Sequence, residues 1–339
     1  MVQPTGGASR ATVFVVSSSV TLGARKVPSE QVDAAFGMPP GKLRRRAGIE
    51  SLAYASENED ELTLGTRAAQ NCLLGASCRA QDLDWIIATS ETHHSYPSLG
   101  AQLHSRLLAR ETCGALDVGG ACLGLLNGLA VAQGLIASGR AHFVLVVTAD
   151  VHSRILAPGR VPGEFGGLFG DGASAFLLSM ATVSDSNGTY RLAQFFFGCA
   201  GQYAGAIRVA GRERELDFHF DGEALSRAAV TRLEKVIVDL ELGSGIPRSS
   251  LQGLATHQPN PRLISILAKQ CGLPDGKFPR VAQTAGNLGS STCGAALDSI
   301  LRSASSQGDL KRGPIFLASL GPGLLYGGGW LFAASAAAD

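Results

Sequence analysis

Apolar runs of strand length, without clean polar alternation, recur along this chain as DLDWIIATSET (82–92), HFVLVVTAD (142–150) and PIFLASLG (314–321). This is the pattern of parallel strands covered on both faces. Val13, Val15 and Val16 read as a first strand; the apolar run there is too short for a signal peptide. Between these runs, apolar positions recur at helical spacing in LTLGTRAAQNCLL (62–74), SLGAQLHSRLLA (98–109), SRAAVTRLEKVIVDL (226–240) and PRLISILAKQCG (261–272). The alternation of the two patterns predicts an α/β fold.

The order of these signals repeats. A strand at 86–90, a His-containing loop, a helix from 98, a glycine-rich turn into a helix beginning at Cys122 and a strand at 143 make one series. LQGLAT (251–256), His257, a helix from 261, the glycine-rich AGNLGSSTCGAAL (285–297) and a strand at 315 make the other. Internal duplication explains both, with the join in the turn-rich ATVSDSNGTY (181–190). The expected halves are 1–182 and 183–339.

Composition narrows the class. With 339 residues, 45% hydrophobic and 17% charged, the chain can bury large cores and is not disordered. A formal charge of +1 supplies no global field toward nucleic acid or an anionic membrane. The seven cysteines include no C-x-x-C pair and no zinc-site spacing, which points to a reducing compartment, read as the cytoplasm, and to no metal. Val118–Gly139 is uncharged and long enough to suggest a membrane span. Its glycines at 120, 124 and 128, with Asn127 and Gln133, fit a buried helix with one bare face instead.

Cys122 is the first candidate for chemistry. At a helix start, free N–H groups and the helix dipole favour a thiolate nucleophile. A buried cysteine is otherwise a small hydrophobe, the reading given to Cys72, Cys78, Cys113, Cys199, Cys271 and Cys293. His257 follows a strand, with Asn260 as N-cap and Pro261 opening a helix, so it lies in a loop where α/β sheets place ligands. Asn287 alone is an ordinary turn residue. Under the duplication, however, Cys122 and Asn287 occupy equivalent helix-entry loops and converge with His257 on one centre. A nucleophile and two donors for a developing oxyanion would meet there.

DVGGACLGLLNGLAVAQGLIASG, FGDGASAFLL (169–178), HQPNPRLIS (257–265), AGNLGSSTCGAALDSIL (285–301) and SLGPGLLYGGG (319–329) occur in this order. Together they resemble β-ketoacyl-ACP synthase III of the thiolase superfamily over nearly the whole chain. The resemblance implies a duplicated, five-layered αβαβα sandwich, usually homodimeric and with no cofactor. Cys122 would take an acyl group from an acyl thioester such as acyl-CoA. His257 and Asn287 would stabilise the enolate formed as malonyl-ACP loses carbon dioxide. Arg262 and Lys269 would dock acyl carrier protein, unless they are simply a solvated basic face. Tyr96 would reach across the dimer to limit the acyl pocket, Gly323 would border the substrate, and Asp171 would be structural.

Three departures stand out. Lys42 occupies the place of the family's adenine-stacking tryptophan, leaving Lys42 and Arg46 of KLRRR as the CoA contacts. Pro322 falls where the family has an oxyanion-hole N–H, as in type III polyketide synthases, and cannot donate. The segment APGRVPGEFGGL (157–168) is long and glycine-rich, and is expected to reshape the pocket entrance.

Rival readings keep the Cys, His, Asn order. A papain-like cysteine protease matches that order but lacks the expected residues around Cys122. A non-catalytic partner subunit would not need all three residues. A thiolase-fold acyltransferase, or a type III polyketide synthase-like condensing enzyme of specialised metabolism, would keep the acyl-cysteine and change the acceptor.

Overall fold

The structure is a computed structural model describing residues 12–334, apart from 181–188, 194, 211–216 and 306–311. Most of the expected join at 181–190 lies outside the described residues. The strands are β1 (Val13–Leu22), β2 (Arg25–Pro28), β3 (Ser51–Tyr54), β4 (Trp85–Thr89), β5 (Gly114–Asp117), β6 (Phe143–Val151) and β7 (Asp171–Ser179). They continue with β8 (Tyr190–Leu192), β9 (Phe196–Cys199), β10 (Ile207–Ala210), β11 (Asp217–Phe220), β12 (Gly253–Thr256), β13 (Ile315–Gly321) and β14 (Leu325–Ala333). The helices are α1 (Ser29–Ala35), α2 (Lys42–Ala47), α3 (Glu61–Gly75), α4 (Leu99–Leu107), α5 (Gly124–Ala137) and α6 (His152–Ile155). They end with α7 (Gly163–Gly166), α8 (Gly222–Ser244), α9 (Pro261–Gln270), α10 (Val281–Ala285) and α11 (Ser291–Ser305).

Strand order makes the repeat visible. The first half runs β5-β4-β6-β7-β1 and the second β12-β13-β14-β8, joined where β8 pairs antiparallel to β1. In each half the first pair of equivalent strands, β4·β6 and β12·β13, is parallel. The next pairs, β6·β7 and β13·β14, are antiparallel. No described strand in the second half corresponds to β5; the short helix α10 precedes α11 instead.

Three cores separate five layers. α3 and α4 cover the outer face of the first half through Leu64, Leu73, Leu99 and Leu103. α8 and α9 cover the second through Leu233, Ile237, Ile264 and Leu267. Between the halves, Leu125, Leu129 and Ile136 of α5 and Leu297 and Ile300 of α11 share the central core with residues of both strand groups. Both faces of the strands are therefore dry, which explains their continuous apolar pattern.

α5 is the buried helix expected at 118–139. Its bare face meets strand side chains rather than a second helix: a Cβ on Gly124 would fall 2.1 Å from Thr89 Oγ1, and one on Gly128 2.8 Å from Val146 Cγ1. No helix among the described residues is long and apolar enough to cross a membrane. Cys72, Cys113, Cys271 and Cys293 are buried as expected, but Cys78 is half-buried and Cys199 exposed.

Candidate active site

The chain enters α5 through a tight turn. Gly120 has φ +128 and Ala121 φ +49, and a 3-10 turn over Ala121–Leu123 precedes the α-helix. Cys122 therefore stands in that 3-10 turn, two residues before α5, rather than as the helix's first residue, as the sequence pattern suggested. The left-handed Ala121 costs on the order of 1 kcal/mol, offset by the packing that holds the turn. Ser319 donates its hydroxyl to the Cys122 carbonyl at 2.9 Å, tying this turn to the end of β13.

His257 follows β12 and is buried. The predicted cap is present: Asn260 accepts the Leu263 N–H at 2.9 Å, and Pro261 opens α9. Asn287 precedes α11, and its side-chain oxygen accepts the Gly289 N–H at 3.0 Å and the Thr292 hydroxyl at 3.1 Å. With that oxygen occupied, the carboxamide NH2 is the end left for a ligand. Cys122, His257 and Asn287 all line one cavity of about 150 Å³, whose other walls are largely apolar. Burial pulls the His257 pKa down to about 4, so the imidazole is neutral at physiological pH.

A second chamber, about 920 Å³, meets the first at Cys122, Phe165, Phe169, Ile207 and Pro322. Its polar wall contains Glu91, His152 and Arg160, none of which the sequence reading singled out. Glu91 Oε2 lies 3.5 Å from His152 Nε2. Burial raises the Glu91 carboxyl, but hydrogen bonding to His152 and the charges of His152 and His257 outweigh it, leaving the pKa below the ordinary carboxylate value. Burial lowers His152, and Glu91 and Asp150 more than reverse this, to about 9. The pair is therefore carboxylate and imidazolium.

Glu91 and Cys122 share the wall of this second chamber. That setting corrects the expectation of a thiolate favoured by the helix start. Burial first, and then the Glu91 charge, push the Cys122 thiol well above its ordinary pKa. Burial and a nearby negative charge together oppose the thiolate more strongly than a helix start two residues away favours it.

Asp150 braces both sides of the centre. Its Oδ1 accepts the Glu91 N–H at 2.5 Å and the Ser90 hydroxyl at 3.2 Å. Burial and the Glu91 charge push its carboxyl up to about 6. Gly289, at φ +58, is required beside it, because a Cβ there would lie 2.3 Å from His152 Cε1. Asp171 is structural, as expected, accepting the Ala55 and Ser153 N–H groups at 2.7 and 2.9 Å.

The remaining expected residues divide. Arg262 and Lys269 are exposed on α9, whose Leu263, Ile264 and Leu267 line the first cavity. Phe165 and Phe169, in and just after the glycine-rich segment, line both cavities. Pro322 borders both as well, without an N–H to offer, while Gly323 at φ +76 is in neither wall. Lys42 pairs with Glu164, Arg46 is exposed, and neither lines a cavity. Tyr96 is fully exposed and lines neither cavity in the single chain.

The profile of 3-oxoacyl-[acyl-carrier-protein] synthase III matches residues 116–201, and that of its C-terminal domain residues 243–331. The β-ketoacyl-[acyl-carrier-protein] synthase III 1 of Vibrio cholerae is 30% identical over 83% of this chain and 87% of that protein. The chain belongs to the 3-oxoacyl-[acyl-carrier-protein] synthase III family. The synthase III of Ruegeria sp. strain TM1040 is 31% identical over 92% of this chain and 96% of its own. The solved synthase III of Pseudomonas aeruginosa PAO1 superposes with a TM-score of 0.82 at 24% identity, covering 95% of this chain and 98% of that one, and has the same fold. Membership makes the chain a condensing acyltransferase of the thiolase superfamily, as the resemblance implied, and removes the papain-like reading.

Proposed function

We propose that the protein condenses an acyl thioester with malonyl-ACP by decarboxylation, with residues 1–182 contributing the nucleophile and 183–339 its two partners. The observation that supports this most directly is the shared cavity of Cys122, His257 and Asn287. Cys122 sulfur attacks the donor carbonyl and holds the acyl group as a thioester, the donor C–S bond breaks, and the Cys122 proton ends on the departing donor thiol. Malonyl-ACP then loses carbon dioxide, and the electron pair of the broken C–C bond becomes an enolate. Neutral His257 and the Asn287 NH2 donate to its oxygen, an arrangement worth about 3–4 kcal/mol per donor in related chemistry. The enolate carbon attacks the acyl carbonyl, the C–S bond breaks, and Cys122 sulfur leaves.

Acyl carrier protein and acyl-CoA are the proposed partners, reaching the cavity past Arg262 and Lys269, with Lys42 and Arg46 serving CoA from farther out. A homodimer is proposed, with the exposed Tyr96 reaching toward the second copy. No cofactor has a step in this sequence of events. Intact mass measurement after incubation with acyl-CoAs and acyl-ACPs tests the proposal. An adduct on the wild type, absent from Cys122→Ala and discharged by malonyl-ACP to a β-ketoacyl product, is expected. No adduct from any donor refutes the catalytic reading and favours a non-catalytic subunit.

A further inference from the structure

Glu91 has no task in the carbon–carbon bond-forming step of a decarboxylative condensation, because departure of carbon dioxide generates the nucleophile and no proton must be removed from the attacking carbon. Yet it lines the same chamber as Cys122, whose sulfur would carry the acyl group. Its Oε2 faces His152, and its Oε1 is buried without a hydrogen-bond partner. His152 Nδ1 and Arg160 Nε are likewise buried and unpartnered among the described residues. All three side chains line the second chamber, which excludes His257 and Asn287. Buried polar atoms without partners are costly, about 1–3 kcal/mol each, and mark a place where a polar ligand completes the network.

We propose that Glu91 is the proton acceptor for transfer of the acyl group from Cys122 to a hydroxyl or amine entering this second chamber. The inference rests on the acyl-Cys122 intermediate proposed above. The acceptor oxygen or nitrogen attacks the acyl carbonyl carbon, forming the new C–O or C–N bond, and its proton passes to Glu91 Oε1. The C–S bond then breaks, its electron pair leaves on the Cys122 sulfur, and Glu91 returns the proton to that sulfur. The products are an ester or amide and the free thiol, with Glu91 restored as carboxylate. His152, facing Glu91 from the start of α6, keeps the carboxylate ionised before the acceptor binds.

The test loads Cys122 from acetyl-CoA or hexanoyl-CoA, removes excess donor, and adds 1-propanol, propylamine or malonyl-ACP to separate portions. Adduct loss is followed by mass, and the propyl ester or N-propyl amide by chromatography. Discharge by propanol or propylamine is expected to exceed that of the same thioester in denatured protein by at least ~100-fold. Glu91→Gln should lower the ratio of this discharge to malonyl-ACP discharge by ~100-fold, and Glu91→Asp should restore part of it. Where melting shows the Gln variant unfolded, the Asp variant decides, and a ratio equal to wild type overturns the inference. An acyl-enzyme that malonyl-ACP discharges, but that gives propanol and propylamine no advantage over denatured protein, overturns the inference alone. No adduct on Cys122 overturns it together with the condensation.

Discussion

Ser290 donates both its backbone N–H, at 2.9 Å, and its hydroxyl, at 2.6 Å, to Asp150 Oδ2. The same carboxylate holds the Glu91 N–H through its other oxygen. One buried side chain thus fixes the loop after β4 and the loop that presents Asn287.

Asp150→Asn keeps the shape but replaces one acceptor oxygen with an NH2 that faces donors. The variant should lose about 2–4 kcal/mol of unfolding free energy, read by urea denaturation. Its decarboxylation of malonyl-ACP should fall at least ~10-fold, because Asn287 loses its anchor. Wild-type stability and turnover in this variant would show that Asp150 does not brace the loops.

The Glu91–His152 pair makes stability depend on pH. The folded-state pKa of His152 is raised from an ordinary 6.5 to about 9, so the native state binds the proton more tightly than the unfolded chain. This stabilisation is complete below about pH 6.5 and is lost as pH rises through about 9, by at most ~3 kcal/mol. Melting between pH 6 and 10 should show the decline. Glu91→Gln, which removes one of its causes, should flatten it, and an unchanged slope would contradict the pairing.

Cys122 should alkylate slowly at neutral pH, because its thiol is pushed up by burial and by Glu91. Carboxamidomethylation with iodoacetamide, followed site by site as a function of pH, measures this. Removing the Glu91 charge in Glu91→Gln should move the Cys122 profile to lower pH by ~1 unit. A profile that stays in place would separate the carboxylate from the sulfur electrostatically.

Arg262 and Lys269 are exposed on one face of α9 beside the first cavity. If they meet an acidic carrier protein, reversing both to Glu should raise KM for malonyl-ACP ~10-fold or more and weaken its salt dependence. Acylation by acyl-CoA should change far less. Equal effects on both substrates would indicate a general disturbance of the helix.

The α/β class, the strands β1, β4, β6, β12 and β13 and the long helices α3, α4, α5, α8 and α9 were legible locally, because doubly covered strands and amphipathic helices leave different apolar periods. α3 spans 61–75 against an expected 62–74, and α9 spans 261–270 against 261–272. The order of the motifs carried the family, and the repeated loops placed Cys122, His257 and Asn287 around one cavity. The chamber wall had no such signal. Glu91 and Asp150 each stand two residues beyond Thr89 and Thr148, which are partners in the parallel pairing of β4 with β6. Only that lateral pairing brings together carboxylates so far apart in sequence, and it puts His152 beside them. The protonation of Cys122 turned on its burial and on the Glu91 charge that this pairing brings near. A local pattern records the helix that follows the cysteine, whereas the charge that opposes its thiolate arrives from another strand.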